Sequence, residues 1–431
     1  MTEGSAPLQA TAEATAYQRE WAKGLRARLA AGEGYAFVNA DTPHEIFHAL
    51  GMPVVVNQWW SSVIAAKQLA AFHLDRSEQM GFHAHLAKYS ALPLFAALDG
   101  DPEHQPWGGL PAPSVLCARQ SADDHQHIFG HWARLTGAPL ALLSAPAIDQ
   151  PEIDWWRRAR GDWEEFYGSH RLDLMQAQIE RLVCLVEEKT GRRFDRVDFA
   201  KYMARIEEQE LIFEEISEMI AAAPRCPVRM AEMIPSVMIP QWHRGSEWAL
   251  DHARKLRAEI AQRIAEGVAV REREKIRMMW IGAGLWFDTR FYASFEEPFD
   301  AVFAWSMYLP FAADGYIRPD RGDPIRALAA RVVSMNEQLH QPPWAGAWLA
   351  DQAKKYRIDM AVMIVPRNDC PSGYGTRFIR HALEQAGVKV VELNADMVDA
   401  RQWDATEAKA LVENGLRRLE ISKDPVDSKS Q

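Results

Sequence analysis

The sequence lacks the features that mark membrane, secreted or nucleic-acid-binding proteins. No apolar run approaches the roughly 18 residues that a membrane-spanning helix needs. The amino terminus shows no basic-then-apolar secretory signal. The 431 residues carry a net charge of −10, which argues against nucleic acid or an acidic membrane surface as the main partner. We therefore expect a cytoplasmic protein.

Cysteine is also scarce. The four cysteines are widely spaced and form no CxxC pair, so the sequence indicates neither a disulfide framework nor a zinc ribbon. Cys184 lies on the apolar stripe of a predicted helix, and we expect it in the core. A dinucleotide fingerprint is missing as well, because the glycines at 282 and 284 do not form GxGxxG.

What the chain does contain is a repeated alternation of short apolar strands, loops and helices. This alternation is typical of an α/β protein, and the length allows two or three domains. The fold class that we predict is two Rossmann-like, doubly wound parallel-sheet domains with a helical segment between them. The predicted divisions are an N-terminal helical arm at 1–34, a first α/β domain at 35–150, the helical segment at 151–270 and a second α/β domain at 271–431.

The individual elements follow from apolar runs and turn residues. One long helix is expected at 65–80, and a proline-punctuated connection at 225–240. The predicted strands lie at 35–39, 53–56, 114–118, 140–144, 276–281, 299–305, 360–365 and 388–393.

The stretch 359–404 combines a buried strand, a polar loop, a helix and a second strand. Its one cysteine, Cys370, follows the carboxyl end of the first strand, which is where open α/β sheets bind their ligands. The 16 tryptophans are a second unusual feature, since an indole suits both a core and a pocket for an aromatic or acyl group.

Several segments resemble one known family in the same order. They are the segment that begins Thr42-Pro43-His44-Glu45 and ends at Pro53, the Pro-Ala-Pro at 111–113, the stretch 186–195, the stretch 257–267, and Cys370 with the run 392–401. On these segments the chain resembles the 2-hydroxyacyl-CoA dehydratase D-component and benzoyl-CoA reductase subunits, from about residue 35 to residue 405.

The resemblance implies a [4Fe–4S] cluster held between two Rossmann-like domains by three cysteines, with one iron site open to substrate. It also implies a homologous cluster-bearing partner subunit in a heterodimer or heterotetramer, an ATP-dependent activator protein that supplies an electron, and an acyl-CoA substrate. Cys370 matches the third cysteine. Ala87 and Asp123 stand where the other two are expected.

Three interpretations stay open. The chain is the cluster-poor partner of a dehydratase or reductase, with the cluster in a partner subunit. Alternatively, the site has been rebuilt for a single metal by His83, His85, Asp123 and the histidines at 125 and 127 together with Cys370. In the third interpretation the chain is a non-redox acyl-CoA binding or assembly subunit.

We favour the first interpretation, with an aromatic or bulky acyl group. Asn57 is expected to bind the substrate and to donate a hydrogen bond to the thioester oxygen. Asp123 and His125 are the candidate proton-handling residues. The tryptophans expected to line the acyl pocket are Trp59, Trp60, Trp280 and Trp286. The candidate metal ligands are Cys370, His83 and His85.

Overall fold

The computed structural model describes residues 7–144, 146, 154–282, 284–309, 318–339, 344–366 and 375–423. Cys370 lies outside these ranges, as does part of the loop before residue 318. Within them, no helix is both long enough and apolar enough to cross a membrane.

Two four-stranded sheets form the framework, and every strand pair in them is parallel. The first sheet has the order β2-β1-β3-β4 and the second has the order β6-β5-β7-β8. The predicted α/β class with two parallel-sheet units is therefore confirmed, and both sheets share one strand order. The strands are β1 (Ala36–Val38), β2 (Val54–Val56), β3 (Val115–Arg119), β4 (Leu140–Leu143), β5 (Ile276–Ile281), β6 (Ala301–Ser306), β7 (Met360–Val365) and β8 (Lys389–Asn394).

Helices surround and connect the sheets. Those before and within the first sheet are α1 (Gln9–Ala30), α2 (His44–Ala49), α3 (Asn57–Ala66), α4 (Ala70–Gln79), α5 (Lys88–Asp99) and α6 (Asp123–Thr136). Those between the sheets are α7 (Trp155–Gly161), α8 (Trp163–Tyr167), α9 (Ser169–Thr190), α10 (Arg196–Ala222), α11 (Met230–Trp242) and α12 (Glu247–Ala265). Those of the second half are α13 (Glu296–Phe299), α14 (Pro324–Leu339), α15 (Trp344–Lys355), α16 (Thr376–Gln385) and α17 (Ala405–Lys423).

Two predicted elements and the predicted burial of one cysteine were wrong. The segment 225–240 was expected to be a connection, yet most of it is α11, which contains Pro235 and Pro240 inside a buried helix. The single helix at 65–80 is two helices, α3 and α4, separated at Gln68, whose φ is +60°. Cys184 is exposed on α9, because the buried stripe of that helix runs through Ile179, Leu182 and Val186 instead.

A buried cluster of charged side chains joins the two halves. Glu45 of α2 accepts hydrogen bonds from Arg244, which follows α11, at 2.7 Å, and from Arg331 of α14. Arg331 also lies 3.4 Å from Glu210 of α10. Burial alone would raise the pKa of Glu45, but the two guanidinium groups outweigh burial and lower its pKa to about 2. For Glu210 burial dominates and raises the pKa to about 7.

Candidate functional site

Parallel sheets bind ligands where the strand order reverses, at the carboxyl ends of the strands. In the first sheet this switch point lies between β1 and β3, which are neighbours although β2 follows β1 in sequence. Asn39 comes directly after β1, and Ser121 follows β3 by two residues. The next residues at this edge are Asn57, which follows β2, and the first turn of α6.

A buried hydrogen-bonded network occupies the switch point. Gln58 Nε2 donates to Asn39 Oδ1 at 2.6 Å, and Asn39 Nδ2 donates to Asp41 Oδ1 at 2.8 Å. Asn39 Nδ2 also lies 3.2 Å from His125 Nδ1, and the other ring nitrogen of His125, Nε2, lies 3.0 Å from Ser90 Oγ. The network therefore brings residues from β1, α3, α5 and α6 together around one imidazole.

The network fixes the position of the proton on His125. The backbone N–H of Ala40 donates to Gln58 at 2.9 Å, so the Gln58 atom that faces it must be the oxygen. The Gln58 nitrogen then faces the Asn39 oxygen, and the Asn39 nitrogen faces His125. His125 Nδ1 must accept, so the neutral ring carries its proton on Nε2 and donates to Ser90 Oγ.

Asn57 is tied to the same network and is fully buried. Its Nδ2 donates to the backbone oxygen of Ser90 at 3.0 Å. Its Oδ1 makes no hydrogen bond within the described ranges. The sequence predicted that Asn57 donates to a thioester, but one of its N–H groups is directed at Ser90 and its unpaired atom is an acceptor.

The other predicted site residues lie in several places. Trp59 and Trp60 pack into an aromatic cluster with Trp21 and Trp242, with ring centroids 5.8 Å apart for Trp21–Trp59 and 6.1 Å apart for Trp59–Trp242. Trp280 is buried in β5 against Tyr292, at 4.8 Å between centroids. These three indoles fill space between elements.

Trp286 lies at the second sheet and faces the first. Its ring centroid is 5.4 Å from that of Tyr308. Burial raises the pKa of Tyr89 to about 12, while the neighbouring side chains of Ser62 and Trp286 partly offset this rise. Trp286 is thus the one predicted tryptophan in the crevice between the two sheets, beside the first turn of α5.

Ion pairs close the crevice beside Tyr89. Lys88 is buried and donates to Asp396 Oδ2 at 3.3 Å and to Asp399, both of which follow β8. Burial would raise the pKa of Asp399, but its bonds with Arg401 and Lys88 outweigh this effect and lower the pKa to about 2. Arg401 in turn contacts Glu78 of α4 at 2.9 Å. We call the contacts of Lys88 with Asp396 and Asp399 the Lys88 latch.

The residues at this edge do not fit a cluster bound by three thiolates. Ala87, which precedes α5, presents a buried methyl group, and Asp123 is the first residue of α6. The side chain of Asp123 and the whole of Cys370 lie outside the described part. His83 and His85 lie before α5, exposed, with ring centroids 5.0 Å apart. Across the described ranges, no three His, Cys, Asp or Glu side chains gather as a metal site.

Sequence reasoning selected Asn57 and His125, and the structure connects them through Ser90. It missed Asn39, Gln58 and Ser90. A polar residue at the carboxyl end of a predicted strand was the available signal for Asn39. Ser90 had no comparable signal, because it lies 35 residues before His125 in the chain.

Comparisons with known proteins agree with this architecture. The family described as 2-hydroxyglutaryl-CoA dehydratase, D-component, matches residues 39–414, a range that includes every strand of both sheets except β1 and reaches the middle of α17. A relative from Clostridium sporogenes, the (R)-phenyllactyl-CoA dehydratase alpha subunit, is 24% identical over 257 residues. That alignment spans 59% of this chain and 59% of the relative. The chain belongs to the 2-hydroxyglutaryl-CoA dehydratase D-component family.

Proposed function

We propose that this chain is the cluster-poor subunit of a heteromeric 2-hydroxyacyl-CoA dehydratase whose substrate carries an aromatic or bulky acyl group. The observation that carries the proposal is the family match over seven of the eight strands, together with a switch point that is filled by amide, hydroxyl and imidazole groups instead of the three thiols of a cluster site. The name of the phenyllactyl-CoA dehydratase relative supports the aromatic acyl group.

In this proposal the chain binds and orients the thioester while a homologous partner subunit holds the iron–sulfur cluster. Ser90, whose hydroxyl oxygen accepts from His125, presents a hydrogen-bond donor at the carboxyl edge of the first sheet, and the closed crevice excludes water from it. An ATP-dependent activator belongs to the same proposal. No step of the reaction is assigned to a metal in this chain, because its described residues do not fit one.

The test uses three anaerobic preparations: this chain alone, the proposed partner subunit alone, and the two chains produced together. Iron, sulfide and zinc are measured per chain, and dehydration of phenyllactyl-CoA is followed with the activator present. We expect turnover only from the pair, with iron and sulfide accompanying the partner. Near-stoichiometric iron and sulfide in this chain alone would contradict the cluster-poor assignment.

A second candidate is a non-redox acyl-CoA binding or assembly subunit, and the alanine at position 87 favours it. The two candidates differ in what happens when the switch-point network is removed. A His125→Phe variant should abolish turnover of the pair if the chain contributes to the reaction site. Assembly and turnover that are both unchanged in this variant would support the assembly role.

A further inference from the structure

The first turns of three helices meet at the switch-point network. Asn57 is the first residue of α3, Ser90 is the third of α5 and His125 is the third of α6. The bond from Asn57 Nδ2 to the Ser90 carbonyl oxygen (3.0 Å) and the contact from His125 Nε2 to Ser90 Oγ (3.0 Å) tie these three helix starts together. Ser90 is therefore the central residue of the junction.

None of these helix starts is capped by a side chain. The residues that precede them are Val56, Ala87 and Ala122, and none has a side chain that accepts a hydrogen bond. Helix starts are usually capped by Ser, Thr, Asp or Asn, because the first N–H groups have no partner within the helix. The three helix dipoles favour an electron-rich oxygen at this junction, while the carboxylates of Asp41 and of Asp124, which lies in the first turn of α6, oppose them.

Two side-chain groups at the junction are uncommitted and complementary. The Ser90 hydroxyl accepts from His125, so its own hydrogen is available, and no described residue accepts it. Asn57 is 0% exposed, and its Oδ1 has no donor among the described residues. Because Asn57 Nδ2 is bonded to the Ser90 carbonyl, this unpaired oxygen lies at the same junction. The junction thus offers one donor and one acceptor.

A 2-hydroxyacyl thioester matches this pair, because it has a carbonyl oxygen that accepts and, on the adjacent carbon, a hydroxyl group that donates. We propose that Ser90 and Asn57 together recognise the 2-hydroxyacyl group, with Ser90 donating to the thioester oxygen and Asn57 Oδ1 accepting from the 2-hydroxyl. Asn57 is then the residue that selects hydroxylated over unhydroxylated acyl groups. This inference rests on the proposed function.

Both groups are closed off from solvent in this structure, so binding of a substrate requires the side chains around them to move. A buried hydrogen-bond acceptor without a donor is energetically unfavourable. A ligand that lacks the hydroxyl group leaves Asn57 Oδ1 without a donor. The discrimination therefore comes from the cost of leaving Asn57 unpaired.

The experiment compares phenyllactyl-CoA with 3-phenylpropionyl-CoA, which lacks the hydroxyl group, in binding to the assembled complex. We expect the wild-type complex to prefer phenyllactyl-CoA by at least about tenfold. Asn57→Leu should abolish this preference, and Ser90→Ala should weaken both ligands about tenfold. Ser77→Ala is the matched control, because Ser77 is buried on α4 and its hydroxyl donates to the carbonyl oxygen of Leu74, away from the junction. It should change neither affinity.

A folded Asn57→Leu complex that keeps the wild-type preference overturns the inference while the proposed function stands, provided that the wild type dehydrates phenyllactyl-CoA. If the wild type neither binds nor dehydrates this substrate, the proposed function fails. The site formed by Ser90 and Asn57 is then tested separately. For that test the His125 ring resonances are followed by ¹⁵N NMR while phenyllactate or 3-phenylpropionate is added. A response to phenyllactate only, lost in Asn57→Leu, supports the site. Equal responses or none overturn it.

Discussion

Two buried polar clusters in the described part of the molecule satisfy their polar groups in different ways. The switch-point network joins the neutral side chains of Asn39, Gln58, Ser90 and His125, with Asp41 as its one acidic member, and leaves a donor on Ser90 and an acceptor on Asn57 uncommitted. The charged cluster around Glu45 links α2, α10 and α14 by ion pairs among fully desolvated groups.

The difference shows which cluster carries stability and which is free to bind a ligand. A buried charge has a large desolvation cost, so removing its partner is strongly unfavourable, and such a cluster resists rearrangement. The free-energy cost of leaving a neutral amide or hydroxyl group without a hydrogen-bond partner is smaller, so such a group can stay unpaired until a ligand binds. We therefore assign the joining of the two halves to the charged cluster and recognition to the neutral network.

The largest effect is expected from Arg331→Met. This change leaves Glu210 without its guanidinium partner and removes one of the two cations at Glu45. We expect the free energy of unfolding to fall by about 4 kcal/mol, as measured by urea denaturation. A loss below about 1 kcal/mol would show that the charged cluster does not hold the halves together.

Acidification should destabilise the folded protein through histidines that are buried in their neutral form. Burial lowers the pKa of His243 to about 3 and that of His252 to about 4, from the usual 6.5. The unfolded chain takes up protons below pH 6.5 and the folded imidazoles do not, so stability falls as the pH drops from 6.5 towards these values. Glu210 acts in the opposite direction, because its folded pKa of about 7 exceeds its usual 4.5, and it gains stability as the pH drops from 7 to 4.5.

Because His44 and His48 share the behaviour of His243 and His252, the histidines should outweigh Glu210. His243→Gln removes one proton-uptake site of the unfolded chain. It should therefore reduce the stability lost between about pH 7 and about pH 5 by about 2 kcal/mol. Urea denaturation of both proteins at the two pH values tests this, and identical losses in variant and wild type would contradict it.

A smaller effect on stability is expected from Gln58→Met in the neutral network. The change removes the bond to Asn39 and the acceptor of the Ala40 N–H group, and should cost about 1–2 kcal/mol. The Asp41 carboxylate still accepts from Asn39 Nδ2 and keeps that nitrogen towards His125, so ¹⁵N NMR should still show His125 protonated on Nε2. A mixture of tautomers in the variant would show that Gln58 and not Asp41 sets the orientation of Asn39.

The smallest effect is expected from Arg254→Met, which removes an exposed ion pair with Glu208 on the surface of the helical segment. Because solvent screens exposed pairs, the midpoint of urea denaturation should not change measurably. A change as large as that of Arg331→Met would mean that burial does not explain the difference between the two arginines.

Local sequence patterns were enough to predict most of the framework. The strands, including β5 and β7, followed from short apolar runs, and all eight lie within two residues of the predicted ranges. Helix α11 was missed because two prolines normally end a helix, whereas here burial of Met233 and Val237 holds the helix together across them. The helix predicted at 65–80 did not include most of α3, because no side-chain cap marks the start of α3 at Asn57.

The site was less predictable because its contacts are remote in sequence. His125 lies 86 residues from Asn39 and 35 from Ser90, and no periodic pattern links positions so far apart. Conversely, the adjacent Trp59 and Trp60 looked like pocket residues, but the packing of α1 and α11 against α3 encloses Trp59. Which polar residues meet is decided by strand order, and that order is a property of the whole fold.

The first turn of α5 places three consecutive residues in three different roles. Lys88 is bound to the loop that follows β8, Tyr89 faces Trp286 of the second half, and Ser90 is bonded to His125 of the first half. A single helical turn is too short and stiff to absorb a displacement at one end without moving the other. A displacement of α5 at Lys88 would therefore also move Ser90, the residue that we propose to contact the substrate.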